Sequence, residues 1–109
     1  LLSPKWLFQL NANTLVYAVE DSGSFIGYVI FHDYDEENME IGWILKRDVW
    51  GKGYASILTK MLIAECRKLR KGAIIECDPR QAVTEHIAKK HGFKFSGKRD
   101  GCDVYKLEE

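Results

Sequence analysis

The chain lacks most of the features that announce a specialised partner. Sixteen Lys and Arg are balanced by sixteen Asp and Glu, so there is no net charge. Without a global field there is no bulk means of recruiting nucleic acid or an anionic membrane. No apolar run approaches the roughly 20 residues needed to span a bilayer, and no leader pattern opens the sequence. The three cysteines, Cys66, Cys77 and Cys102, form no CxxC pair and fall in no Cys/His cluster. Isolated thiols read as small buried hydrophobes in a reducing compartment. His32, His86 and His91 are out of ligand spacing with one another and with the cysteines, so no metal is expected. Only two prolines punctuate 109 residues, and there are no repeats or low-complexity linkers. The expectation is one cytoplasmic domain over 1–109, with no nucleic-acid or membrane partner.

What is present is a clear change of period. Leu1 to Leu10, carrying Trp6, Leu7 and Phe8, reads as the tail of a helix or as an extended lead-in. Thr14 to Glu20 and Ser24 to His32 are rich in β-branched and aromatic residues, and Asp21-Ser22-Gly23 supplies hairpin chemistry between them. The acidic stretch Asp33, Asp35, Glu36 and Glu37 leads to a third strand, Met39 to Leu45. From Tyr54 onward, Ala55, Leu58, Met61, Leu62, Cys66 and Leu69 recur at three and four residues, giving one apolar helix face. Gly72 is the expected stop, and Ala73 to Cys77 a short buried strand. A second helix is expected from about Gln81 to Lys90, ended by His91-Gly92. Phe93 to Ser96 and Asp103 to Leu107 form a last hairpin across Lys98 to Gly101. The order β-β-β-α-β-α-β-β predicts an α/β domain with a mixed sheet.

One segment has the makings of an anion site. Trp50-Gly51-Lys52-Gly53-Tyr54-Ala55 lies where a strand hands over to an amphipathic helix. The first turn of that helix offers N–H groups without intrahelical partners, and its dipole adds partial positive charge. Gly51 and Gly53 let the backbone turn sharply and let a phosphate approach without meeting a Cβ. A P-loop would need GxxxxGK followed by Ser or Thr, which is absent. A dinucleotide fingerprint would need a third glycine where Ser56 stands, and a βαβ unit ahead of it.

Gly42-Trp43-Ile44-Leu45, a spacer, and then Trp50-Gly51-Lys52-Gly53-Tyr54-Ala55-Ser56 resemble the central motif of the GNAT N-acetyltransferase superfamily. Asp78-Pro79, Gln81, Thr84 and Lys90-His91-Gly92-Phe93 resemble the helix motif after that family's fifth strand. The two together are most similar to the branch of ribosomal-protein N-terminal acetyltransferases. The resemblance implies the acyl-CoA N-acyltransferase fold and direct acetyl transfer from acetyl-CoA to a primary amine of a small molecule or peptide. It also implies a strand and one or two helices ahead of Leu1, so the domain is N-terminally short, either truncated or a variant with an open amine site.

The resemblance places cofactor contacts at Trp43, Ile44, Leu45, Trp50, Gly51, Lys52, Gly53, Tyr54, Ala55 and Gln81. Backbone groups of Trp43 to Leu45 would pair with the pantetheine arm as an added strand does. An N–H near Ile44–Leu45 would face the thioester carbonyl. Glu40, upstream on the same strand, is the candidate base, and Thr84 the candidate donor to the departing sulfur. The tyrosine that many relatives use as a proton donor falls at Ala88. That change, with the short N-terminus, motivates a second reading: a non-catalytic acyl-CoA-binding sensor or regulatory module. The apolar lead-in makes a homodimer a further expectation.

Overall fold

A computed structural model describes residues 5–9 and 16–108. In chain order the strands are β1 (Lys5–Gln9), β2 (Val16–Asp21), β3 (Ser24–Asp33), β4 (Asn38–Leu45), β5 (Gly72–Cys77), β6 (Phe93–Arg99) and β7 (Cys102–Leu107). The helices are α1 (Tyr54–Lys68) and α2 (Ala82–Lys90), with a 3-10 turn at Arg47–Val49 before α1. The strands form one seven-stranded sheet in the order β1-β2-β3-β4-β5-β7-β6. This is the mixed sheet expected, with one strand more: the lead-in is extended and pairs antiparallel with β2. The side chains of Trp6, Leu7 and Phe8, and the predicted strand start at Thr14, lie outside the described residues.

The hairpins follow from two-residue turns that need positive φ. Ser22 and Gly23 take φ 52° and 85° between β2 and β3, and Asp100 and Gly101 take 51° and 81° between β6 and β7. Such primed turns match the strand twist, so the last hairpin pairs up to Arg99↔Cys102 instead of opening at Lys98. The end of α1 also differs from expectation. Arg70, with φ 58°, is the left-handed residue, and Lys71 N–H donates to the Cys66 carbonyl at 3.0 Å in a Schellman closure. Gly72 instead opens β5, where a Cβ would collide with the Asn38 side chain.

The core lies between the sheet and the two helices. Tyr54, Leu58, Leu62 and Cys66 of α1 and Ala88 of α2 pack on Met39 and Ile41 of β4 and on Ala73, Ile75 and Cys77 of β5. Alternation along a strand sends Glu40, Gly42 and Ile44 of β4, and Glu76 of β5, to the opposite face. Ile44 is 59 % exposed there.

Candidate active site

The decisive feature is a fork in the sheet. β4 pairs with β3 along its whole length, from Asp33↔Met39 to Gly27↔Leu45. Its parallel pairing with β5 is confined to Asn38↔Gly72, Met39↔Ala73 and Glu40↔Ile74. Beyond that point the strands diverge, and β5 pairs only with β7. Both helices start beyond the carboxyl ends of the two diverging strands, the end of an α/β sheet where ligands bind.

The direction of the peptide groups on the free edge follows from two bonds. Lys46 N–H donates to the Ile26 carbonyl at 2.9 Å, and Gly72 N–H donates to the Glu37 carbonyl at 2.8 Å. Strand alternation then turns the peptide groups of Gly42 and Ile44 toward β3, and those of Ile41, Trp43 and Leu45 toward the fork. The side chain of Trp43 packs against the core. Trp50 is 60 % exposed, yet its indole N–H donates to the Leu45 carbonyl at 3.0 Å. The Arg47 guanidinium lies 5.2 Å from the centre of its ring. Trp50 thus ties the loop to the end of β4, leaving the N–H of Leu45 and both peptide groups of Trp43 along the fork.

The glycine loop is open where a ligand would meet it. Gly51 and Gly53 take φ 77° and 84°, and a Cβ built on either would meet nothing within 4 Å. These glycines therefore serve the turn and leave space above it. The first turn of α1 has no acidic residue and no capping side chain. Its first intrahelical bond runs from Ile57 N–H to the Gly53 carbonyl at 3.2 Å, so the amides of Tyr54, Ala55 and Ser56 have no carbonyl partner within the helix. A pyrophosphate fits such a donor set, with Lys52 exposed beside it.

Tyr54 contributes to this turn through its backbone, because its side chain is committed elsewhere. The hydroxyl donates to Asp21 Oδ2 at 2.6 Å in a buried contact, pinning the start of α1 to the β2–β3 turn. The Asp21 carboxylate holds the phenol proton on and, with burial, raises the Tyr54 pKa. Ser56 Oγ and His91 Nε2 are 2.6 Å apart, which fastens the end of α2 to the first turn of α1. Sequence spacing gave no hint of this pair, whose members are 35 residues apart.

On α2 the motif residues divide. Gln81 accepts the Asp78 N–H on Oε1 at 3.0 Å, so its carbonyl oxygen closes its own turn. Thr84 is half-buried one turn into the helix. Ala88 is fully buried in the core, so this position carries packing and no proton donor.

The opposite face of the fork carries two carboxylates, Glu40 and Glu76, among basic groups. Glu40 sits at the apex, and burial raises its carboxyl above the ordinary range. Glu76, on the β5 arm, pushes the same way, while His32 and Arg99 oppose. Glu76 went unremarked in the sequence, although a charge inside the apolar run AIIEC is a usable signal. A recess of about 360 Å³ adjoins the apex, lined among others by Tyr34, Asn38, Ile74, Arg99 and Lys106. Of the acidic connection, Asp33 accepts from Lys71 Nζ at 2.6 Å and Asp35 accepts from the Glu37 and Asn38 amides, so both brace the turn. Among the described residues no three His, Cys, Asp or Glu lie together where a metal ion could be held. Nor is any described helix long and apolar enough to cross a membrane.

Residues 2–94 match the family described as Acetyltransferase (GNAT) domain. The chain belongs to the GNAT acetyltransferases. One relative, the uncharacterized N-acetyltransferase YnaD of Bacillus subtilis (strain 168), is 28% identical over 90 residues, 80% of this chain and 53% of that protein. The chain thus spans about half the length of that relative. Among solved structures, an IAA acetyltransferase from Bacillus cereus ATCC 14579 superposes with a TM-score of 0.81 at 12% identity, over 99% of each chain. A GNAT acetyltransferase from Elizabethkingia anophelis with acetyl-CoA bound gives 0.77 at 14% identity, over 100% of this chain and 97% of that one. Likeness at these identities establishes the GNAT fold, which the two motifs implied.

Proposed function

We propose that residues 1–109 act as one acetyl-CoA-dependent N-acetyltransferase domain, moving an acetyl group directly to a primary amine of a small molecule or peptide. The observation that carries this reading is the fork, with a free peptide edge on one arm and a carboxylate at its apex. Acetyl-CoA supplies an acetyl group activated as a thioester. The amides of Tyr54, Ala55 and Ser56 would hold its pyrophosphate, with Lys52 adding charge and Gly51 and Gly53 giving access. Trp43 would pair with the pantetheine amides as an added strand does, and Leu45 N–H would donate to the thioester carbonyl oxygen. Of the backbone groups at Trp43 to Leu45, Ile44's serve β3, so its contact would come from the side chain.

An alkylammonium with pKa near ~10 must lose a proton before it attacks. Glu40 would accept it, its raised pKa bringing it closer to the working range of a base. The C–N bond forms, the C–S bond breaks, the nitrogen gives up its second proton, and the sulfur takes one, relayed through the Thr84 hydroxyl, the candidate donor. The half-buried Glu40 carboxyl at the apex favours this over a purely sensing module, which has no use for a base. The Elizabethkingia protein, as a GNAT with acetyl-CoA bound, supports the cofactor assignment. The Trp50 loop and the Asp78–Phe93 motif support placement near the ribosomal-protein N-terminal acetyltransferase branch.

Acetyl-CoA is expected to raise the melting temperature, and free thiol to appear with at least one member of a panel of polyamines, amino acids, aminoglycosides and peptide N-termini. No thermal shift at millimolar acetyl-CoA would refute cofactor binding. A shift without thiol release across the panel would favour the sensor.

A further inference from the structure

We propose that His32 is the proton partner of Glu40, so that the two side chains together take the proton of the attacking amine. This rests on reading the fork as the site of amine acetylation. His32 and Glu40 are cross-strand neighbours on the face away from the helices. His32 Nε2 lies 3.3 Å from Glu40 Oε1, and His32 Nδ1 lies 3.0 Å from the Asp33 carbonyl oxygen. A carbonyl oxygen only accepts, so Nδ1 carries a hydrogen. In the neutral ring Nε2 is then a lone pair facing a carboxylate oxygen. That contact is favourable only when one proton resides on the pair. Two groups linked this way share that proton.

Their order in the sheet gives the proton a direction. β4 stands between β3 and the fork, so an amine in the fork meets Glu40, with His32 behind it. The ammonium gives its proton to the Glu40 carboxylate, which passes one to His32 Nε2. The products are a neutral amine, a carboxylate and an imidazolium. No redox change or co-reactant is involved, and the imidazolium returns its proton to solvent after product release. Glu40 touches the substrate; His32 acts through it. Among the described residues, the other charged groups acting on Glu40 are Glu76 from β5, which favours the protonated state, and Arg99 from β6, which opposes it. Lys106 of β7 lies in the same cross-strand row beyond Ile74.

The first test needs neither cofactor nor acceptor. Carbon NMR of the Glu40 carboxyl across pH should show two inflections in the wild-type chain, its own and a second as the ring titrates. In His32→Gln a single inflection should remain, at higher pH than the first, because the imidazolium that favours the carboxylate is gone. Superimposable single transitions in the two proteins would overturn the proposal. The second test uses whichever amine the thiol-release panel identifies. Glutamine can still donate to Glu40 but cannot accept a proton. His32→Gln should therefore lower kcat about tenfold with KM for the amine within twofold, and move the acid limb of the pH profile toward the carboxylate range. A wild-type kcat and acid limb would show that His32 only positions Glu40, and the relay would be abandoned. Absence of turnover with every amine defeats the acetyltransferase reading, while the NMR titration separately decides whether the two groups share a proton.

Discussion

The two sides of the fork are built from different materials. On the helix side the groups that would hold the cofactor are peptide N–H groups, at the first turn of α1 and along the free edge of β4. On the open face they are side chains: Glu40, His32 and Glu76, with Arg99 near. A backbone site tolerates exchange of side chains but demands particular φ values and unobstructed access. A side-chain site depends on single atoms and can be rewritten one residue at a time. Such a division would let acceptor specificity change while the cofactor site is kept.

The comparison breaks first if the loop proves insensitive. Gly53→Glu puts bulk and negative charge into the space above a residue at φ 84°. It should abolish the acetyl-CoA thermal shift, a loss of at least about 100-fold in affinity, or roughly 2.7 kcal/mol. An undiminished shift would remove the loop from the cofactor site. Glu40→Gln probes the other side. It should lower kcat/KM by about 100-fold while leaving the acetyl-CoA shift intact, and equal losses in both would erase the distinction between the faces.

Tyr54→Phe sharpens the comparison by touching the loop from below. It leaves Oδ2 of the buried Asp21 carboxylate without its donor, at a cost of about 1–3 kcal/mol. The melting temperature should fall by at least about 4 °C, with acetyl-CoA affinity reduced by less than the Gly53 change. The smallest effect is expected at His91. Burial, with Lys60 and Lys90 adding to it, holds this imidazole below its ordinary pKa. The unfolded chain therefore binds the extra proton first. Stability should be full above about pH 6.5 and decline as pH falls below it, a slope that His91→Asn should flatten in thermal melts at pH 5–8.

Much of the molecule was legible because it is local. The 3.6-residue period from Ala55 to Leu69 fixed α1, and Asp21-Ser22-Gly23 marked the first hairpin, whereas the last, expected across Lys98 to Gly101, closes more tightly at Asp100-Gly101. The lead-in stayed ambiguous because a short apolar run without a partner has no period of its own; pairing with β2 decides it. Gly72 misled because a glycine near a helix end has two explanations, and Arg70 took the left-handed position. The loop was readable as an anion site from its glycines and the helix behind it. The fork was not, since divergence depends on which residues of β4 find partners on β5. The contacts Ser56–His91 and Tyr54–Asp21 were hidden for the same reason: each joins residues more than 30 positions apart.

Gly27 has a consequence for anyone altering this scaffold. It sits in the β-bulge of β3 at φ 151°, where a Cβ would strike the backbone of Ile44 and Leu45. Any side chain there would push on the peptide joining Ile44 to Leu45, the residue whose N–H would meet the thioester. Position 27 is thus an adjustment screw for the aperture, turned from the β3 side. Variants there should weaken the acetyl-CoA thermal shift, because the clash falls on the arm that would pair with the cofactor.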